Sequence, residues 1–222
     1  MNEQTKQENL NHNAEKAARA AVKDGKNINE AVRDITLEAL SDGHLDSQKI
    51  REVIQAVLQG VSLGAKGKGD RAEQSLREAI TGVDEALAKS AEASKLAIEE
   101  AAGRIKEFGS QDLKQGLDDL RTLEEMFLDT VKNIARASGG TAGELLNDME
   151  QHARNTGTAV GTTAKTAVEK LSGELEKNVR ENVNAGTDTA MKVGNQLSQA
   201  AAGFLEGIAE TLKKTGSTEK EK

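Results

Sequence analysis

Hydrophobic residues recur along most of this 222-residue chain at spacings of three and four positions, which is the period of an α-helix. Polar or glycine-rich breaks, such as SDGHLDS, GVSLGAKGKGD and SGGTAG, separate one periodic segment from the next. The pattern predicts helices at 27–40, 47–62, 70–108, 111–137 and 145–213. The predicted fold is therefore all-α, an elongated helical bundle or hairpin that ends in a long amphipathic helix.

Residues 26–138 hold most of the large apolar side chains and are predicted to form the helical bundle. The predicted bundle core consists of Ile50, Val53, Ile54, Val57, Leu58, Val61, Leu113, Leu117, Leu120, Phe127, Val131 and Ile134. Residues 1–25 are rich in Asn, Gln and charge, and we interpret them as a polar lead-in in which a helix can begin at Asn13. Residues 214–222 are interpreted as a disordered tail.

The last long segment, residues 144–213, is rich in Thr, Gly and Ala and repeats its apolar positions every eleven residues. Counting in elevens from Val160, Ala164 and Val168 gives three rows without a charged residue, whereas a seven-residue register meets acidic residues. Eleven residues in three turns, about 3.67 per turn, fit a nearly straight helix. The predicted contact stripe of this arm is Val160, Val168, Leu171, Leu175, Val179, Val193, Leu197, Phe204, Ile208 and Leu212. A stripe this narrow buries little area, so we expect the arm to need a surface or a partner to lie on.

Composition favours thinly packed helices and disfavours nucleic-acid binding. Leu, Ile, Val and Phe make up about a fifth of the chain, and Pro, Trp, Tyr and Cys are absent. The net charge of −7 arises from 37 acidic and 30 basic residues that are well mixed along the sequence. Because a nucleic-acid partner requires a concentrated basic face and the sequence offers none, we expect no nucleic-acid binding.

Residues able to carry out chemistry are sparse. Gly64 and Gly69 have the spacing of a phosphate-binding loop, but Asp70 stands where that loop needs Lys followed by Ser or Thr. We interpret this stretch as a flexible linker. The chain has three histidines, His12, His44 and His152. None has a companion at metal-ligand spacing, so we expect no enzyme activity, metal, cofactor or small-molecule substrate.

The longest uncharged apolar stretch, Val53 to Ala65, is too short to span a bilayer. The N-terminus also lacks the apolar core of a signal peptide. We therefore expect a cytoplasmic protein, soluble or peripheral on a granule or membrane. Burial of Val53–Ala65 in the bundle is favoured, and the alternative is that it lies on a membrane with Lys66 and Lys68 at the headgroups.

Several stretches between residues 25 and 165 resemble a bacterial all-helical family of uncharacterised function. They are AVRDITLEALSDGHLDSQKIREVIQAVLQGVSLGAKGKG, ALAKSAEASKLAIEEAAGRIKEF, DDLRTLEEMFLDT and HARNTGTAVG. The resemblance implies a helical fold and brings no active site with it. The eleven-residue rhythm, the Ala content and the absence of Pro are also similar to phasins, exchangeable apolipoproteins and late-embryogenesis-abundant proteins.

The sequence leaves three functions open. The first is a phasin-like coat, in which amphipathic helices spread on an apolar granule or membrane surface; the net acidity favours a neutral surface over anionic lipid. The second is a self-associating helical scaffold, a homo-oligomer that buries the same stripes between copies. The third is a stress protectant that folds on binding or drying. The expected partners are accordingly an apolar surface or a second copy of the chain.

Overall fold

The computed structural model of the chain describes residues 3–41, 46–103, 110–181, 199–207 and 210. Helix dominates these residues and none of them is in a strand, which confirms the predicted all-α class. The described helices are α1 (Glu3–Asp24), α2 (Ile28–Ser41), α3 (Ser47–Ala65), α4 (Ala72–Gly103), α5 (Ser110–Ser138), α6 (Gly140–Thr156) and α7 (Ala159–Glu181). A 3₁₀ turn at Gly69–Arg71 leads into α4, and residues 199–207 are also helical.

Helices α1, α3 and α5 run in the same direction. The amide of Asn11 donates to Glu52 at 3.4 Å near the start of α3, and Gly64 at the end of α3 lies against Val22 at the end of α1. The hydroxyl oxygens of Ser62 and Ser138 lie 2.5 Å apart near the ends of α3 and α5. Because the connections after α1, α3 and α5 are short, these three loops lie at the same end of the bundle.

The first helix differs from the prediction for residues 1–25. This segment is a bundle helix rather than a polar lead-in, and its small residues Ala14, Ala18 and Val22 are buried. It packs most extensively on α3, where Gly60 lies against the backbone of Glu15. The sequence did not reveal that this helix packs in the bundle, because its buried face consists mainly of alanines, which carry little hydrophobic signal.

The centre of the bundle contains all twelve residues of the predicted core, and each of them is buried. Much of the remaining core is alanine, as at Ala79, Ala86, Ala91 and Ala97 of α4. Small side chains let helices approach closely, and Gly82 of α4 lies against the backbone of α2 for the same reason. The core is thin, and close backbone packing takes the place of bulky side chains.

The predicted helix at 145–213 is not continuous in the part that the structure describes. The chain breaks at Gly157, whose φ of 81° belongs to the left-handed region that favours glycine. Helix α6 packs mainly on α5, and α7 packs on both α4 and α5. The two helices follow each other along the α4–α5 pair without packing extensively on one another. The residues beyond α7 lie outside the described part, apart from 199–207 and 210.

The helical residues 199–207 return to the bundle, with Ala201, Ala202 and Leu205 buried. Ala201 lines a small cavity of about 60 Å³ together with residues of α3, α4 and α5, among them Ile50 and Leu120. Within the described residues, no helix is long and apolar enough to cross a membrane.

Candidate functional site

The start of α7 is held by the side chain of a residue far away in sequence. Both carboxylate oxygens of Asp84, on α4, accept hydrogen bonds from the backbone N–H groups of Ala159 and Val160, each at 2.8 Å. The first N–H groups of a helix have no partner within the helix, and they carry partial positive charge. Asp84 therefore caps α7 from a neighbouring helix.

A second carboxylate, Glu124 on α5, contacts the same turn. The hydroxyl of Thr158 donates to Glu124 at 2.7 Å and accepts from the N–H of Gly161 at 2.9 Å. The Glu124 carboxylate lies so close to Gly161 that any side chain at this position would collide with it. We call the set of Asp84, Glu124 and residues 157–161 the junction.

The junction places two acidic side chains in a partly enclosed setting. Burial raises the pKa of Asp84 above its ordinary value of 3.8, and the neighbouring carboxylates of Glu124 and Glu85 raise it further. The hydrogen bonds from Val160 and Ala159 act in the opposite direction. The amides at the start of α7 thus partly compensate the negative charge of Asp84. The contact between Asp84 and α7 therefore depends on whether the Asp84 carboxylate is protonated.

Arg154, near the end of α6 and next to the junction, connects α6 to α5. Its guanidinium donates to both oxygens of Glu125, at 2.9 and 2.8 Å, and to Asp129 at 2.9 Å, both on α5. It also contacts Glu150, whose side chain is buried. The hydrogen bonds to Glu125 and Glu150 raise the pKa of Arg154, so its charge persists over the whole accessible pH range. Helix α6 is therefore fixed to α5 independently of α7.

The apolar face of α7 lies in the groove between α4 and α5. Val160, Ala164, Ala167 and Leu171 are buried there, at spacings of four, three and four. Val168, a predicted stripe residue, is only partly buried, because Ala167 occupies the centre of the contact. The stripe residues Val160 and Leu171 therefore already have packing partners within the chain.

The other predicted stripe residues have mixed outcomes. Phe204 is partly buried against the core. The side chains of Leu175 and Val179, and the residues Val193, Leu197, Ile208 and Leu212, lie outside the described part of the structure. Of the predicted eleven-residue rows, the described part contains one pair of buried residues, Val160 and Leu171, and this does not establish a repeat.

Sequence reasoning missed the four side chains that organise this region: Asp84, Glu124, Arg154 and Thr158. One local signal was present, because Gly157 followed by Thr158 combines a glycine that ends helices with a residue that starts them. The acidic partners lie 34 to 76 positions from the residues they contact. No local pattern links such residues.

The described residues offer little that suits catalysis. His12 and His152 are exposed, and His44 lies outside the described residues. No group of three or more His, Asp and Glu side chains within the described ranges is placed to hold a metal ion. Two further surface cavities, of about 550 and 560 Å³, lie between helices, and small and apolar residues make up most of their lining.

Fold and junction together define an all-helical bundle with a C-terminal helix held in a groove by polar caps. The chain belongs to DUF6781, a family of unknown function whose model matches residues 2–214. This match extends the resemblance inferred for residues 25–165 to nearly the whole chain. No curated protein and no solved structure matches the chain.

Proposed function

We propose that this protein is a non-enzymatic, phasin-like helical protein that associates with an apolar surface, and that α7 makes the contact after leaving the α4–α5 groove. The observation that carries the proposal is the composition of the α7 contact. Among the α7 side chains that the structure describes, those of residues 159–173, the buried ones are Val160 and Leu171, which are large, and Ala164 and Ala167, which are small. Such a helix gains little from the groove and has an apolar face to offer elsewhere.

The exposed surface supports a mechanism in which the bundle opens. Among the described residues, Leu96 is the one large hydrophobic side chain that is exposed. Docking on an apolar surface needs a contiguous apolar patch, which a single leucine does not supply. Within the described residues, the apolar area available for such a contact therefore lies on faces that are buried in the closed bundle.

Helix α7 is the element best placed to leave. Its N-terminal polar contacts go to Asp84 and Glu124 on α4 and α5, and it shares no extensive packing with α6. Gly157 provides a hinge between the two helices, and Arg154 keeps α6 on α5 when α7 moves. The release of α7 thus costs the junction and the packing of α7 on α4 and α5, whereas α1, α2 and α3 keep their packing on one another.

Two adjacent substitutions test the proposal. Leu171→Asp puts a charge on the buried stripe, whereas Lys170→Asp changes an exposed neighbour. We expect Leu171→Asp to bind uncharged oil droplets or polyester granules at least about 10-fold more weakly, because burying a charge is costly. Lys170→Asp should bind nearly as the wild type does. Equal loss in both variants would show that charge, and not the stripe, carries the contact.

Self-association is the second candidate. The groups that hold the start of α7 belong to α4 and α5, so a second copy offers an identical groove. The chain has no Cys, so single thiols are easily introduced. Thr158→Cys and Glu124→Cys chains, unfolded and refolded together and treated with a short bifunctional thiol reagent, should yield a mixed dimer if α7 exchanges. Absence of that species would exclude exchange.

A further inference from the structure

The three loops that follow α1, α3 and α5 form one continuous face. The ammonium group of Lys68 lies over Gly25, 3.0 Å from the position a Cβ would take, so the α3–α4 loop contacts the α1–α2 loop. On its other side the α3–α4 loop shares a cavity of about 550 Å³ with the α5–α6 loop, lined by Lys66, Gly139 and Thr141 among others. We call residues 23–27, 66–71 and 136–141 together the loop end.

The loop end is basic although the protein is acidic. Its charged residues are Lys23, Lys26, Lys66, Lys68, Arg71 and Arg136 against Asp24 and Asp70. These six basic and two acidic residues give a formal charge of +4, in a chain whose net charge is −7. The nearest further acids are Glu30, Glu73 and Glu144, in the helices that lead away from the loops; Glu73 is paired with Arg77, and Glu30 accepts from Asn27.

The six cations of the loop end have no acidic partner within the described structure. Elsewhere among the described residues some cations form ion pairs, such as Arg33, Arg77 and Arg154, and others, such as Lys16, Arg51 and Lys114, form none. The loop end differs in gathering six such cations in one place. A helix C-terminus favours a basic residue, which accounts for Lys23 and Arg136. It does not account for Lys26 and Arg71, which precede the N-termini of α2 and α4, where positive charge is unfavourable.

We propose that the loop end docks on the anionic headgroups of a phospholipid surface. Unpaired lysines attract such a surface over about a Debye length without needing a shaped pocket. Nucleic acid is the less suitable polyanion, because the loop end contains no aromatic residue for stacking and presents short loops instead of a helix or strand for a groove. The docking does not depend on the release of α7, so the two proposals fail separately.

The test compares two sets of three substitutions that remove the same charge. The loop-end variant is Lys26→Gln/Lys66→Gln/Lys68→Gln. The control variant is Lys16→Gln/Arg51→Gln/Lys114→Gln, whose three positions are exposed on α1, α3 and α5 away from the loops. Sedimentation with phosphatidylcholine vesicles, with and without phosphatidylglycerol, measures binding at low and at physiological salt. Circular dichroism confirms that both variants fold.

We expect wild-type and control proteins to bind the anionic vesicles in a salt-sensitive manner, and the loop-end variant to bind about 10- to 100-fold more weakly. All three proteins should bind uncharged oil droplets equally, since that contact belongs to α7. Equal binding of the two variants to anionic vesicles would overturn the proposal. So would loop-end-dependent binding to a DNA duplex without binding to vesicles, which would assign the face to nucleic acid. If Lys68→Gln disturbs folding through its contact with Gly25, Lys23→Gln/Lys26→Gln/Arg136→Gln takes its place.

Discussion

Asp84 does for α7 what an N-cap residue ordinarily does from within its own helix. Its two carboxylate oxygens accept hydrogen bonds from the backbone N–H groups of Ala159 and Val160. The local cap, Thr158, accepts from the N–H of Gly161 and donates to Glu124. The first turn of α7 is therefore completed only when the helix lies in the groove. Capping and docking are one event, and single residues of α4 and α5 control both.

Replacing Asp84 by Ala should destabilise the docked helix. Loss of a cap costs about 0.5–2 kcal/mol, and we expect a decrease of this size in the free energy of unfolding measured with urea at pH 7. Glu85→Ala, one position along α4, is the control, because Glu85 contacts Asn29 and Arg33 rather than α7. A larger loss of stability from Glu85→Ala would argue against the capping role of Asp84.

The pH dependence of stability should carry the signature of Asp84. Because its pKa is higher in the folded protein than the ordinary 3.8, the folded state holds this proton more tightly than the unfolded chain does. The resulting stabilisation is present below pH 3.8 and is lost as the pH rises through the raised pKa. The free energy of unfolding of the wild type, minus that of Asp84→Asn, should therefore fall as the pH rises above 3.8. A difference that rises with pH would contradict the assignment.

Glycines of this chain divide into those that are packed and those that are not. At Gly60 a Cβ would strike the backbone of Glu15, whereas at Gly173, inside α7, it would meet nothing within 4 Å. Gly60→Ala should lower stability by about 1–3 kcal/mol through overpacking. Gly173→Ala should raise it by up to about 1 kcal/mol, because Ala is the better helix former. Urea denaturation of both variants tests these opposite signs; stabilisation by Gly60→Ala would refute the close α1–α3 contact.

Among the helices, α7 differs from α3 and α5 in what it buries. The contact faces of α3 and α5 are built from Leu, Ile, Val and Phe, each worth about 1.5–3 kcal/mol on burial. Over the side chains of α7 that the structure describes, two of the four buried residues, Ala164 and Ala167, are alanines. Amide hydrogen exchange should therefore be slower in Ile50–Val61 and Leu113–Ile134 than in Ala159–Glu181. Slower exchange in α7 than in α3 would refute the view that α7 is the exchangeable element.

The elements also show how far sequence alone leads. Helices α3 and α5 were predictable almost to their ends, because large apolar residues repeat along one face and the core list follows from that repeat. The packing of α1 in the bundle was not predictable, because its alanines and its contact with a glycine give little hydrophobic signal. The break at Gly157 went unpredicted because a single glycine inside a helical pattern does not oblige the helix to end. The carboxylates of the junction and the basic loop end come from contacts and topology that no local pattern encodes.

For the molecule as a whole, the alternating direction of the helices has two consequences. It gathers three glycine-containing loops and their unpaired cations at one end, and it leaves a groove between α4 and α5 along which α6 and α7 lie in succession. We propose electrostatic docking for the loop end and apolar contact for α7. The electrostatic docking and the apolar contact use different residues, and only the electrostatic docking should weaken as the salt concentration rises.

The central claim is that α7 leaves its groove by the hinge at Gly157 to bind an apolar surface. The most direct test is to cross-link the start of α7 to α5. A Glu124→Cys/Thr158→Cys chain, joined by a short bifunctional thiol reagent, holds the start of α7 on α5, where these side chains now lie 2.7 Å apart. A Ser62→Cys/Ser138→Cys chain ties α3 to α5 and leaves α7 free. Binding to uncharged oil droplets should fall at least about 10-fold when the 124–158 chain is cross-linked, because the stripe stays buried; the uncross-linked form and the cross-linked 62–138 chain should still bind. Undiminished binding by the cross-linked 124–158 chain would contradict the account.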